Sequence, residues 1–312
     1  MAFDLEDINL AAKEDPKGLI AAYDKVYEDR IRKTAERIMD NLECSPIVLL
    51  SGPSGSGKTT TAMKLRDALS NRGVKSYSIS MDNYFRTVRP ETAPRTESGQ
   101  LDLESPLCMD MELLNEHFTM LSRGERVFVP KYEFARQMRS IEPSMSLRLD
   151  KNAVDIFEGI PALNDSITDV HPEAFNLYVS AQSNFICDEG EYAFKGTWLR
   201  LARRVVRDNL FRGADPKETM HMWANVRQGE KKYITPFKGK ADVQLDTALG
   251  YEPCVMRNLA EPLFRDIPEG LERRDEIAQV GPALASFTPV DPSLLAPDAL
   301  LREFVGGGIY EY

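Results

Sequence analysis

The sequence predicts an α/β fold, on two observations. The apolar run Pro46 to Leu50 leads into the glycine-rich stretch Gly52 to Thr60, which opens into the helical pattern Thr61 to Leu69, so the region reads as strand, tight turn and helix. Further apolar runs, Val74 to Ser80, Ala153 to Phe157, Phe175 to Ser180 and Ala241 to Asp246, recur between helical stretches, the alternation that lays strands side by side with helices on the sheet faces.

The turn itself has the spacing of a phosphate-binding loop, with Gly52, Gly55, Gly57, Lys58 and Thr59 in register and Ser54, Ser56 and Thr60 between and after them. Glycines let backbone amides converge on phosphate oxygens, and the following helix adds partial positive charge at its start. Lys58 can span the terminal phosphates of a triphosphate, and the Thr59 hydroxyl can face magnesium.

Composition narrows the partners. The chain has 312 residues, 42% of them hydrophobic and 28% charged, with a formal net charge of -10, which fits an ordinary soluble protein with one main domain and argues against a general nucleic-acid binder. The four cysteines, Cys44, Cys108, Cys187 and Cys254, lack the spacing of a zinc site or a disulfide scaffold, and the three histidines are scattered. No apolar run approaches membrane-spanning length and the first residues are acidic, so a cytoplasmic protein with no membrane segment or signal peptide is expected.

Residues 16 to 43 carry apolar positions near the helical period and are expected to pack as one long helix, within an N-terminal helical extension over 1–45. The second strand, Val74 to Ser80, delivers Asp82 to the edge that carries the glycine-rich turn. A carboxylate there can take a proton from a hydroxyl nucleophile or hold magnesium through water; an Asp-Asn turn is the plain structural alternative. Residues 86–150 read as an insertion: a mobile loop, a helix over Met109 to Arg123 ended by Gly124, and a short strand from Arg126 with a hairpin partner in 139–150. Tyr132 and Phe134 are its candidates for stacking on an acceptor, with burial the competing reading for Phe134. The buried strand Ala153 to Phe157 ends on Glu158, where a magnesium-associated carboxylate belongs in a phosphate-loop protein.

From Thr197 the pattern is helical, with Arg200, Arg203, Arg204 and Arg207 on one face and Trp198, Leu201, Ala202, Val205 and Val206 on the other. Between 198 and 212 five arginines meet one acid, Asp208, giving +4 in a chain of -10, and the stretch 197–232 is expected to be an anion-binding lid and a following helix. The tail, 251–312, is expected to wrap the domain and carries no assigned chemistry.

In this order the motifs resemble the uridine kinase and phosphoribulokinase family of P-loop kinases. The matching pieces are Gly52 to Thr60, Asp82 to Phe85, Pro130 to Phe134 with Arg139, Phe157 to Ile160, Arg203 to Asp208 with Arg212, and Ala241 to Val243. The resemblance implies a P-loop NTPase fold over 46–250, a parallel five-stranded sheet flanked by helices, with ATP and magnesium. It implies Asp82 as the base for the acceptor hydroxyl, Thr59 and Glu158 beside magnesium, and Lys58, Arg203, Arg207 and Arg212 on the transferring phosphoryl group. Tyr132, Arg139 and Asp102 would hold the acceptor. The family's pyrimidine kinases carry a base-contacting histidine shortly after the tyrosine motif, and Gln137 stands there in this chain.

The expected function is therefore ATP-dependent phosphoryl transfer to a hydroxyl of a small polar acceptor, a nucleoside such as uridine first. A sugar phosphate or pantothenate-like acceptor, or a nucleotide-binding regulator without turnover, are the alternatives. No Asn-Lys-x-Asp guanine signature is present. The oligomeric state, a homo-oligomer included, is not set by the sequence.

Overall fold

The computed structural model describes residues 2–95, 99, 101–102, 105–133, 136–187 and 190–311. Five strands form its central sheet: β1 (Ile47–Ser51), β2 (Lys75–Ser80), β3 (Ala153–Glu158), β4 (Phe175–Ser180) and β5 (Val243–Asp246). All neighbours run parallel, in the order β5-β4-β1-β3-β2. Parallel strands buried on both faces need apolar residues on both sides, and β1 and β3 supply them in alternation. Val48, Leu50, Val154 and Ile156 enter one core, and Ile47, Leu49, Ala153 and Phe157 enter the other.

The first core is the larger. Helix α1 (Pro16–Asn41) starts on the Asp15 cap, which accepts from Gly18, and buries Leu19, Ile20, Tyr27, Ile31, Ala35 and Ile38. It packs on α2 (Lys58–Ser70), the helix that follows the glycine-rich turn, and Tyr27 shares a 2.8 Å hydrogen bond with Thr61 of that helix. The tail fills the rest of this core through Tyr251, Val255, Phe264, Leu284, Phe287 and Phe304. A small second sheet was not legible in the sequence: Ala2–Asp4 pairs in parallel with Asn184–Ile186, which pairs antiparallel with Tyr192–Phe194.

On the other face lies the insertion. Its helix α3 (Met111–Ser122) buries Leu114, Phe118 and Leu121 against Phe157, and Arg126–Val129 pairs with Met145–Arg148 as the expected hairpin. Helices α4 (Gly196–Phe211) and α5 (Pro216–Tyr233) follow β4 and lead back to β5 at the sheet edge. Among the described residues no helix is long and apolar enough to cross a membrane.

Candidate active site

The strand ends build the site. The β1–β3 and β2–β3 registers set Leu50 and Ser80 both opposite Glu158, so the turn after β1 and the carboxylates after β2 and β3 share one edge. That is the crevice edge of an open parallel sheet.

Two close approaches explain the loop's glycines. A Cβ on Gly52 would lie 2.1 Å from the Val179 carbonyl oxygen, and Gly55 has φ of +73° and would place a Cβ 2.8 Å from the Arg200 carbonyl oxygen. The loop carbonyls are then tied down from outside. Arg200 donates to the Ser54 oxygen (3.2 Å), Arg203 to the Gly55 oxygen (3.0 Å), and the Thr247 hydroxyl to the Ser56 oxygen (2.7 Å). Arg204 donates to the Ser54 hydroxyl at 3.0 Å. With the carbonyls engaged, the amides of Gly55, Gly57, Lys58 and Thr59 donate to no backbone acceptor among the described residues. The Ser56 hydroxyl is buried and has no hydrogen-bond partner among the described residues. Unpaired donors gathered at a helix start fit a polyphosphate.

Lys58 folds back so that its ammonium donates to the Pro53 oxygen at 3.3 Å. Asp82 lies in a single helical turn over Met81–Tyr84, with its amide donating to Ser80 Oγ. Burial pushes the Asp82 carboxyl up, while Lys58 and Arg212 pull it down. Burial likewise pushes Glu158 up to about 7, against the pull of Lys58, with Asp82 and Glu303 adding repulsion and Ser80 a hydrogen bond to the ionised form. Two carboxylates and one ammonium therefore sit in a poorly solvated notch at the start of α2. A divalent cation bound there would relieve the repulsion, which is the chemistry expected of a magnesium site completed by phosphate oxygens.

The arginine stripe divides. Arg203 is fully buried and forms a bidentate pair with Glu252, one contact at 2.7 Å, besides donating to Gly55 and to the Thr247 oxygen at 2.8 Å. Its guanidinium also lies 4.9 Å from the centre of the Phe304 ring. It braces the loop from beneath, and the expectation that it reaches the transferring phosphoryl is corrected: its donors point at protein. Arg200 is also buried, bonded to Glu230 and to the loop. Arg207 and Arg212 pair with Asp208, at 2.7 and 3.6 Å, and with no other acid among the described residues, and both line a cavity beside the loop.

In the insertion, Arg139 donates to Asp110 (2.8 Å) and to the Tyr84 oxygen (2.9 Å), which fastens it to the Asp82 turn. Tyr132 is buried against Phe85, ring centres 5.5 Å apart. Asp102 accepts from the Tyr233 hydroxyl at 2.6 Å, so one of its oxygens already clips the insertion to α5. Gln137 is exposed, with φ of +50°. Phe134 lies outside the described residues. His221 is exposed on α5, whereas His117 bonds Tyr84 behind the Asp82 turn at 2.9 Å.

The tail supplies a group that sequence reasoning missed. Glu303 accepts from the Thr60 amide at 3.1 Å and from the Thr60 hydroxyl at 2.7 Å. No local pattern around residue 303 signals this contact.

A model described as the phosphoribulokinase / uridine kinase family matches residues 47–249. The uridine kinase of Halobacterium salinarum is 27% identical over 199 residues, 62% of this chain and 76% of that relative. The uridine kinase of Deinococcus deserti is 27% identical over 210 residues, 67% of this chain and 91% of the relative. Among solved structures, one described as a fructose transport system kinase from Silicibacter superposes with a TM-score of 0.52 at 21% identity, covering 69% of this chain and 98% of its own, a likeness of fold. With a phosphate cradle, two strand-end carboxylates and a family match over most of its length, the chain belongs to the phosphoribulokinase / uridine kinase family.

Proposed function

We propose that this chain transfers the terminal phosphoryl group of ATP to a hydroxyl of a small polar acceptor, a nucleoside such as uridine first. The observation that carries the reading is the convergence of the amide-rich loop, Lys58, Asp82 and Glu158 on one sheet edge. The loop amides and Lys58 would hold the triphosphate; Arg207 and Arg212 would stabilise charge on the group in transit; Asp82 would take the proton as the acceptor oxygen attacks. Magnesium beside Thr59 and Glu158 would neutralise charge on the phosphate oxygens. Positioning and charge supply the rate. We read 46–250 as the catalytic part, wrapped by 1–45 and 251–312, and the reaction as cytoplasmic.

One observation favours a second acceptor class. A cavity of about 450 Å³ at the insertion is lined by Arg86, Arg89 and Arg139 with Thr87 and Thr92, a lining suited to an anionic acceptor such as a sugar phosphate. A panel of nucleosides, pantothenate and sugar phosphates in a coupled ADP-release assay tests both. Stimulation by uridine supports the first reading. Stimulation by a sugar phosphate and by no nucleoside replaces it with the second.

A further inference from the structure

Helix α2 has its first backbone hydrogen bond from Thr61 to Gly57, so the amides that precede Thr61 turn to acceptors outside the helix. Such a set is what a bound polyphosphate uses. Yet the Thr60 amide and hydroxyl are both held by one oxygen of Glu303. That carboxylate comes from the short helix Arg302–Val305, beyond the residues 47–249 that the family model matches.

We propose that Glu303 is a tethered anion that occupies a phosphate subsite of the donor nucleotide and must swing away for the triphosphate to seat fully. A carboxylate oxygen and a phosphate oxygen are equivalent acceptors for a helix-start amide, and two anions cannot share the Thr60 donors. The neighbourhood has the same chemistry. Glu303 lines a cavity of about 280 Å³ with Arg207, Phe211, Arg212, Arg302, Gly306 to Gly308 and Tyr310, and among the described residues it is the one acid on that lining. Arg302 is spent on the carbonyls of Leu295, Ala296 and Gly306, which leaves Arg207 and Arg212 to receive an anion that displaces the carboxylate. The Glu303 charge also reaches Glu158 and Arg212 in the site.

The segment around Glu303 is anchored, so the movement required is small. Phe304 is fully buried beneath the Arg203 guanidinium, and Tyr310 donates to Asp67 at 2.8 Å. Rotation of one side chain withdraws the Glu303 carboxylate from Thr60 without releasing the tail. In this arrangement the nucleotide-free loop keeps a satisfied helix start, and donor affinity is lowered by the cost of removing the carboxylate.

The inference rests on the proposed nucleotide site, and the test separates the two. ATP and inorganic tripolyphosphate are titrated calorimetrically into the full chain, into Glu303→Gln, into Glu303→Ala and into Lys58→Ala. Both Glu303 variants should bind both probes about two- to thirtyfold more tightly than the parent, the range for one charge at a helix start. If one variant fails to fold, as judged by circular dichroism, the other decides. Parent-like or weaker binding in the folded Glu303 variants, with Lys58→Ala still impaired, overturns the role of Glu303 alone. ATP binding by neither the parent nor either folded Glu303 variant overturns the nucleotide site and this inference together.

Discussion

Replacing Glu252 by alanine would leave the Arg203 guanidinium buried without a counter-charge. Both side chains of this pair are completely enclosed, and the donors left to Arg203 would be directed at the neutral oxygens of Gly55 and Thr247. Breaking a buried pair on one side costs about 3–5 kcal/mol. With a urea dependence of about 3 kcal/mol per molar, the unfolding midpoint should fall by about 1 to 1.7 M. Trp198 and Trp223 are both buried in the native chain and report the transition by fluorescence. The double replacement Arg203→Met with Glu252→Leu should recover most of that loss, because neither charge then has to be desolvated. It would still leave the Gly55 oxygen without its donor, an unmet hydrogen bond of about 1–3 kcal/mol, so ATP affinity should drop by about tenfold in a well-folded protein. A midpoint shift below about 0.3 M for Glu252→Ala, or parent-like ATP affinity in the double variant, would refute the claim that this pair braces the loop.

Three further outcomes are expected. Asp155 is fully buried in β3, and burial, opposed by a backbone contact from Ile156, holds its carboxyl well above the ordinary range. The folded chain then keeps a proton that the unfolded chain releases, so this residue lowers stability as pH rises above about 4, by up to about 1.4 kcal/mol per pH unit. Asp155→Asn removes that slope, and its stability advantage in urea should grow from pH 5 to pH 7; parallel curves would contradict the assignment. Arg207→Ala should lower kcat by about ten- to a hundredfold with the KM for ATP within about threefold, and an unchanged kcat would make Arg207 a solvated partner of Asp208. Thr247→Val removes the hydroxyl that donates to the Ser56 oxygen and should cost about 1–2 kcal/mol in urea unfolding; a neutral result would mean that the loop carbonyl is satisfied otherwise.

What the sequence disclosed follows from locality. The phosphate loop, Asp82 and Glu158 each lie at the end of an apolar run, so their placement needs only strands, a turn and the rule that crevices open at strand ends. The arginine stripe shows the limit of periodicity. A helical repeat says which side chains share a face of α4, but not that Glu252, 49 residues away, waits under Arg203. The Glu303 contact spans 243 residues and depends on how the tail packs into the larger core. Asp102 belongs with these cases: the family resemblance implied an acceptor contact, whereas Tyr233 from α5 already holds one of its oxygens. Three-residue strands such as Ala2–Asp4 carry too few positions for a period of two to show.

The most direct test of the central claim is Asp82→Asn, assayed for acceptor-dependent ADP release and for ATP binding on the same preparation. The Asp82 role predicts that ATP affinity stays within about threefold while transfer to the acceptor is lost, because the amide cannot take the proton from the attacking hydroxyl. Transfer near the parent rate, with the substitution confirmed and the fold intact, would contradict it.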